Sequence, residues 1–144
     1  MEIRSAEKED SSEVYEMGTD TEEFEVSDDE DIFWDKDSLE YWFDNQKDVC
    51  LVAEENEEIV GFVLSHIHIP TGKVEIENIF VADSYRERGI ASELFKQLLN
   101  NYESAEVDFA VAITLQDNDK IHEFNRKMGF EKGDTVVWWE YNFN

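Results

Sequence analysis

Chemistry in this chain is most concentrated where an apolar strand pattern gives way to a helical one. The run is Ile76-Glu77-Asn78-Ile79-Phe80-Val81-Ala82-Asp83-Ser84-Tyr85-Arg86-Glu87-Arg88-Gly89-Ile90-Ala91-Ser92, and its loop has the spacing Arg-x-x-Gly-x-Ala. Such a junction can take an anion. The first turn of a helix has unpaired N–H groups at the positive end of its dipole, Gly89 lets backbone approach a ligand, and Ala91 keeps that approach open. Arg86 and Arg88 are two of only four arginines in the chain. An ordinary helix start with exposed arginines would read the same way, so the loop needs support from elsewhere.

A second group of residues flanks the turn Pro70-Thr71-Gly72-Lys73. If Thr71-Gly72 is a two-residue hairpin turn, His68 lies across from Glu75 and His66 across from Glu77, all on one face. Three chemistries share that arrangement: cross-strand ion pairs on a wet sheet, a His/Glu metal site, or a base that takes a proton from a substrate. No further ligand and no metal-motif spacing accompanies these residues, so a site without metal is expected.

Periodicity supplies the elements that must hold these groups. A short strand at Ile3 precedes a helix from about Glu7 to Met17 with Gly18 as its stop, and Ser38 caps a second helix carrying Tyr41 and Trp42. Strands are expected at Val49–Ala53, Ile59–Ile69 and Val74–Val81. A long helix follows, with Ile90, Leu94, Leu98 and Tyr102 in phase, then a strand from Val107 to Leu115. Asn118 to Met128, closed by Gly129, is the last helix, and Thr135–Phe143 the last strand. In that strand Trp138 and Trp139 point to opposite faces. The order β-α-α-β-β-β-α-β-α-β gives an α/β class with a mixed sheet, antiparallel at first and with one parallel crossover. No repeat or Pro/Gly/Ser linker interrupts it, so residues 1–144 read as a single domain.

With its order of elements, the loop Arg86-x-x-Gly89-x-Ala91 and the later Asn118…Phe124-Asn125-x-x-Met128-Gly129-Phe130, the chain resembles the GNAT superfamily of acetyl-coenzyme A-dependent N-acetyltransferases. The resemblance runs along essentially the whole chain and implies that family's fold, with a splayed central sheet. It implies that Arg86 and the Arg88-Gly89-Ile90-Ala91-Ser92 amides hold the coenzyme pyrophosphate. Ile79, Phe80 and Val81 would pair with the pantetheine arm, and Asn118 would contact the coenzyme. Glu87 stands where the family has a small residue and Ala91 where a second glycine is common, so Glu87 must point outward. Glu77 resembles the glutamate that acts as base through water in spermidine/spermine-type relatives, with His66 orienting it.

Asn125 stands where the family commonly has a tyrosine that protonates the leaving thiolate. At about 100° per residue it falls within about 60° of Asn118 and His122. An amide can hydrogen-bond a sulfur but cannot supply a proton near neutral pH, which leaves water, Tyr85 or Tyr141 as donors. The activity implied is direct transfer of an acetyl group from acetyl-coenzyme A to a primary amine, polyamine-like or on a peptide. The alternative is a catalytically weak acyl-coenzyme A-binding or regulatory module.

Composition bounds the partners. In 144 residues, 37 acids face 12 bases, a net charge of −25 with 41% hydrophobic content. Duplexes and anionic membranes are repelled, so neither nucleic acid nor membrane is expected as a partner, and a cationic acceptor is. The lone Cys50 admits no internal disulfide and reads as a small core residue. Without a basic start leading into an apolar run, a soluble cytoplasmic protein is expected. Many relatives are dimers, so a homodimer is one assembly to expect. Ten acids and one lysine crowd Thr19 to Asp37 among aromatics, read as an ordered loop presenting carboxylates. Trp34, Tyr41 and Trp42 are packing under that loop or, alternatively, a cage for a cation.

Overall fold

The computed structural model describes residues 1–20, 33–103 and 107–143. These divide into two units, Met1–Ile113 and Thr114–Asn144.

In the first unit, Ile59-Val60-Gly61-Phe62-Val63-Leu64 lacks polar alternation, the mark of a strand covered on both faces. It forms most of β3 (Glu58–His68), the centre of a five-stranded sheet ordered β1-β2-β3-β4-β5. The other strands are β1 (Glu2–Ser5), β2 (Cys50–Glu55), β4 (Lys73–Val81) and β5 (Phe109–Ala112). Neighbours are antiparallel as far as β4, and β5 joins β4 in parallel after the crossover helix α3 (Ile90–Glu103).

Helices α1 (Ser11–Thr19) and α2 (Lys36–Asp44) bury Val14 and Leu39 against one face of the sheet, formed by Cys50, Val52, Phe62 and Leu64. Helix α3 contacts β2, β3 and β4. Its buried Leu94, Leu98 and Tyr102 recur at helical spacing, matching the buried Leu51, Ala53 and Val63 of the strands. The Tyr102 hydroxyl accepts from Val49 N at 2.9 Å and shares a hydrogen bond with Ser65 Oγ at 2.8 Å. Burial pushes the Cys50 thiol up to about 12, so it is the inert core residue expected. At Gly61 an added Cβ would lie 2.7 Å from the Phe80 carbonyl. Glycine there lets β3 and β4 approach while Leu94 of α3 closes over them.

Three local readings change. Helix α2 is capped by Asp35, which accepts from Ser38 N at 2.9 Å, so Ser38 lies in the first turn instead of at the cap. Gly18 lies inside α1, where an added Cβ would run into the Phe33 ring, so packing, not termination, explains it. Before α1, residues Lys8–Asp10 form a 3-10 turn. Of the acidic stretch, residues 21–32 lie outside those described.

The second unit carries α4 (Asp119–Lys127), N-capped by Asn118 and followed by Gly129 at φ 93°. No strand forms at Thr135–Phe143. Trp138 and Trp139 are 59% and 87% exposed, so neither is a core residue. Alternation alone cannot make a strand without a partner to receive its backbone groups.

One ion cluster ties β1 to the rest. Arg4 donates to Asp10 at 2.7 and 2.9 Å and to Glu54 at 2.7 Å, and Asp10 also accepts from Glu7 N. Burial alone would raise the Asp10 pKa. The Arg4 hydrogen bond, the Glu7 amide and the Arg4 charge reverse this and hold it below the ordinary carboxylate value. A depressed carboxylate stabilises the fold above its unfolded pKa and ceases to as pH falls through its folded one. Asp10→Asn should therefore cost roughly 1.5–3 kcal/mol at pH 7, the range for hydrogen bonds to a charged group, because Arg4 keeps Glu54 as a partner. In urea titrations the gap between wild type and variant should close below about pH 4. A gap independent of pH would mean that the ionised carboxylate is not what stabilises.

Candidate active site

Strand β4 is irregular at the candidate residue Glu77. Its register with β3 runs Lys73 to His68, Val74 to Ile67, Glu75 to His66 and Ile76 to Ser65, then resumes at Asn78 to Leu64. Glu77 is the extra residue of a β-bulge, which breaks strict alternation and re-aims side chains. The connection explains the displaced register. Pro70 draws Ile69–Thr71 into a 3-10 turn closed by Gly72 at φ 63°, so Thr71-Gly72 is not the two-residue turn expected from sequence. His66 therefore faces Glu75, and His68 faces Lys73 with its Nδ1 on Thr71 Oγ1 at 2.6 Å. The expected pairing of His68 with Glu75 is absent.

The bulge nevertheless brings Glu77 to His66, with Oε1 2.8 Å from Nε2, while Glu75 lies 3.6 Å from the same nitrogen. With Glu77 ionised, the shared proton resides on the imidazole. Burial raises the Glu77 pKa, the His66 hydrogen bond pulls it back, and the neighbouring Glu75 charge raises it further, leaving it above the ordinary 4.5. A half-buried carboxylate shifted in that direction is a stronger base than a free one. His66, Glu75 and Glu77 offer one ligand atom each within 4.8 Å of one another and are the described residues that would hold a divalent ion. The direct bond satisfies two of them without one.

Past the bulge, β4 parts from its parallel neighbour. Pairing with β5 ends at Ile76 and Ala112, while β4 continues to Val81. Ala82 N donates to Val60 O at 2.9 Å. Antiparallel alternation then turns the backbone groups of Phe80 toward β3 and those of Ile79 and Val81 to the parted side. Phe80 also stacks on Phe62, centroids 5.4 Å apart.

The loop beyond Val81 is built from backbone. Residues Asp83–Tyr85 form a 3-10 turn, and Glu87 (φ 61°) and Gly89 (φ 78°) are left-handed. The ladder of α3 begins with Glu93 N donating to Gly89 O at 3.0 Å, so the amides of Ile90, Ala91 and Ser92 point out of the helix end. Both arginines are engaged by acids. Arg86 donates to Val81 O at 3.0 Å and pairs with Asp83, while Arg88 forks onto Glu55 at 3.0 and 3.3 Å with its guanidinium 5.2 Å above the Tyr85 ring. Glu87 is exposed and points outward, as expected from the sequence.

In the second unit, Asn118 Oδ1 accepts from Ile121 N at 3.3 Å, a capping role that sequence reasoning did not assign. His122 and Asn125 follow on α4, both half-buried, and the Asn125 carbonyl accepts from Phe130 N at 2.9 Å. Sequence reasoning also missed Asp48, which accepts from Ile67 N at 2.9 Å just before the start of β2. No motif marks an aspartate in such a loop.

A mixed sheet that opens between two parallel strands, with an amide-lined helix entry at the end of the opened strand, defines the acyl-coenzyme A N-acyltransferase fold. The chain belongs to the acetyltransferase (GNAT) family, whose model matches residues 11–130, and is an acetyl-coenzyme A-dependent acyltransferase. No curated protein sequence matches it. Among solved structures it is similar to the PaiA N-acetyltransferase of Thermoplasma acidophilum in complex with coenzyme A, at 19% identity and TM-score 0.82, covering 94% of this chain and 92% of that one. An aminoglycoside 6'-N-acetyltransferase from Acinetobacter haemolyticus matches at 18% identity and TM-score 0.80 over 100% of both chains. The ribosomal-protein alanine N-acetyltransferase of Escherichia coli matches at 16% identity and TM-score 0.76, covering 92% of this chain and 79% of that one. Among the described residues no helix is long and apolar enough to cross a membrane.

Proposed function

We propose that the chain acts as one domain that transfers an acetyl group to a primary amine, with Glu77 as the base. The family model running through both units supports the single domain. The observation that carries the reading is the Glu77 carboxylate, half-buried, held by His66 and raised in pKa, at the point where β4 and β5 part.

Acetyl-coenzyme A supplies the acetyl group as a thioester. The residues present fit it: amides of Arg88, Gly89, Ile90, Ala91 and Ser92 for the pyrophosphate, and the outward backbone groups of Ile79 with the Val81 amide for the pantetheine arm. Arg86 braces the loop by holding Val81 O and Asp83. An ammonium cannot attack a carbonyl, so Glu77 takes its proton, directly or through water, while His66 fixes the carboxylate. Amide N–H groups of the parted strand polarise the carbonyl oxygen. Because Asn125 has no proton to give in the working pH range, the leaving thiolate takes its proton from one of the other donors, water, Tyr85 or Tyr141.

The test is a thiol-release screen with acetyl-coenzyme A against polyamines, aminoglycosides, amino acids and peptide N-termini. Turnover is expected with cationic amines, with KM rising as salt screens the attraction of a chain at −25. Tight coenzyme binding without turnover of any amine would make the protein a binding module.

A further inference from the structure

Beside the proposed base stands an aromatic corner for which the acetyl transfer itself has no use. Trp34 Nε1 donates to Asn78 Oδ1 of β4 at 2.7 Å, and Trp42 Nε1 to Ser65 O of β3 at 3.1 Å. Each indole thus spends its one donor on the sheet, and both rings are fixed. They meet edge to face with centroids 5.4 Å apart, and the Trp42 centroid is 6.4 Å from that of His66. Together with Tyr41, Asn45, Asp48, His66 and Glu77 they line an open cleft of about 270 Å³. The Asp48 carboxylate is held by Ile67 N and by Asn45 Nδ2 at 3.3 Å. Among the described residues neither lysine nor arginine lines this cleft, so its carboxylates and ring faces attract cations with no described lysine or arginine to answer them.

We propose that Trp34, Tyr41, Trp42 and Asp48 form a subsite for a second cationic group of the acceptor, so that the preferred acceptor is a linear diamine or polyamine. The inference rests on the amine-acceptor reading above. The nitrogen that attacks must first surrender its proton at Glu77, and its charge cannot anchor the molecule through the reaction. A second ammonium keeps its charge throughout and can.

Putrescine and n-butylamine share a chain and differ in that second ammonium. On the full chain with acetyl-coenzyme A, kcat/KM is expected to favour putrescine by at least about tenfold, the order that aromatic and carboxylate contacts to a cation provide. Asp48→Asn should reduce that preference to about threefold or less and leave n-butylamine unchanged. Tyr41→Leu, at a position 79% exposed, should lower it more mildly and serves if the first variant does not fold. Calorimetric titration of each amine gives a readout without turnover. Equal kcat/KM for the two amines, or a preference untouched by both variants, overturns the subsite and leaves the acetyltransferase reading standing. If neither amine is acetylated yet putrescine binds tenfold more tightly, the acceptor reading fails and the subsite stands. Equal binding with no turnover ends both.

Discussion

Glu77→Gln is expected to lower kcat by a factor on the order of 10² to 10⁴ with coenzyme affinity unchanged, the usual cost of removing a positioned base. The pH profile makes the test specific. A base works only when deprotonated, so the wild-type rate should rise with pH through the Glu77 pKa, which burial and Glu75 place above 4.5, and the glutamine variant should lack that limb. Stability separates this role from a structural one. A carboxyl whose folded pKa is raised stabilises the fold below its unfolded pKa, and that contribution is lost as pH rises through the folded value. The neutral amide avoids that loss, so the variant should melt no lower than wild type at pH 7. A wild-type rate combined with a lowered melting temperature would make Glu77 a structural residue.

Gly89→Trp should weaken coenzyme A binding at least about a hundredfold by calorimetry, since losing two charge-assisted hydrogen bonds of about 1.5–3 kcal/mol each suffices. Two features converge on that expectation. Gly89 has φ 78°, a conformation costly for any side chain, and a Cβ there would meet nothing within 4 Å, so an indole would stand in the open space before the helix end. Because that space is open, the fold should survive the change, and circular dichroism should show wild-type helix content. Unchanged affinity would place the coenzyme elsewhere. The pairing of both arginines with carboxylates sharpens the argument, because it leaves the backbone amides as the principal donors.

Much of this was legible in the chain. Strands β3 and β4, helix α3 and the loop between β4 and α3 follow from apolar runs and one glycine, because local pattern and tertiary packing agree there. The contact between His66 and Glu77 was also expected, though for the wrong reason: the turn was misjudged and a bulge corrected for it. Neither effect is visible in Ile76-Glu77-Asn78, which alternates like any strand. Thr135–Phe143 failed in the opposite sense, having a strand's pattern without a strand's partner. Asp48 was invisible because its place depends on where β2 begins relative to β3, a tertiary fact.

The parting of β4 from β5 has a consequence for the protein without its coenzyme. Past Ile76 the backbone groups of Ile79 and the amide of Val81 face the side where pairing with β5 has ended, while Val81 O is held by Arg86, and unpaired strand backbone of this kind can take hydrogen bonds from another chain. Two copies meeting edge to edge would each bring a charge of −25. Their repulsion opposes that association at low ionic strength and weakens as salt screens it. The acidity of the chain therefore opposes edge-to-edge pairing of two copies at this stretch, most strongly at low ionic strength.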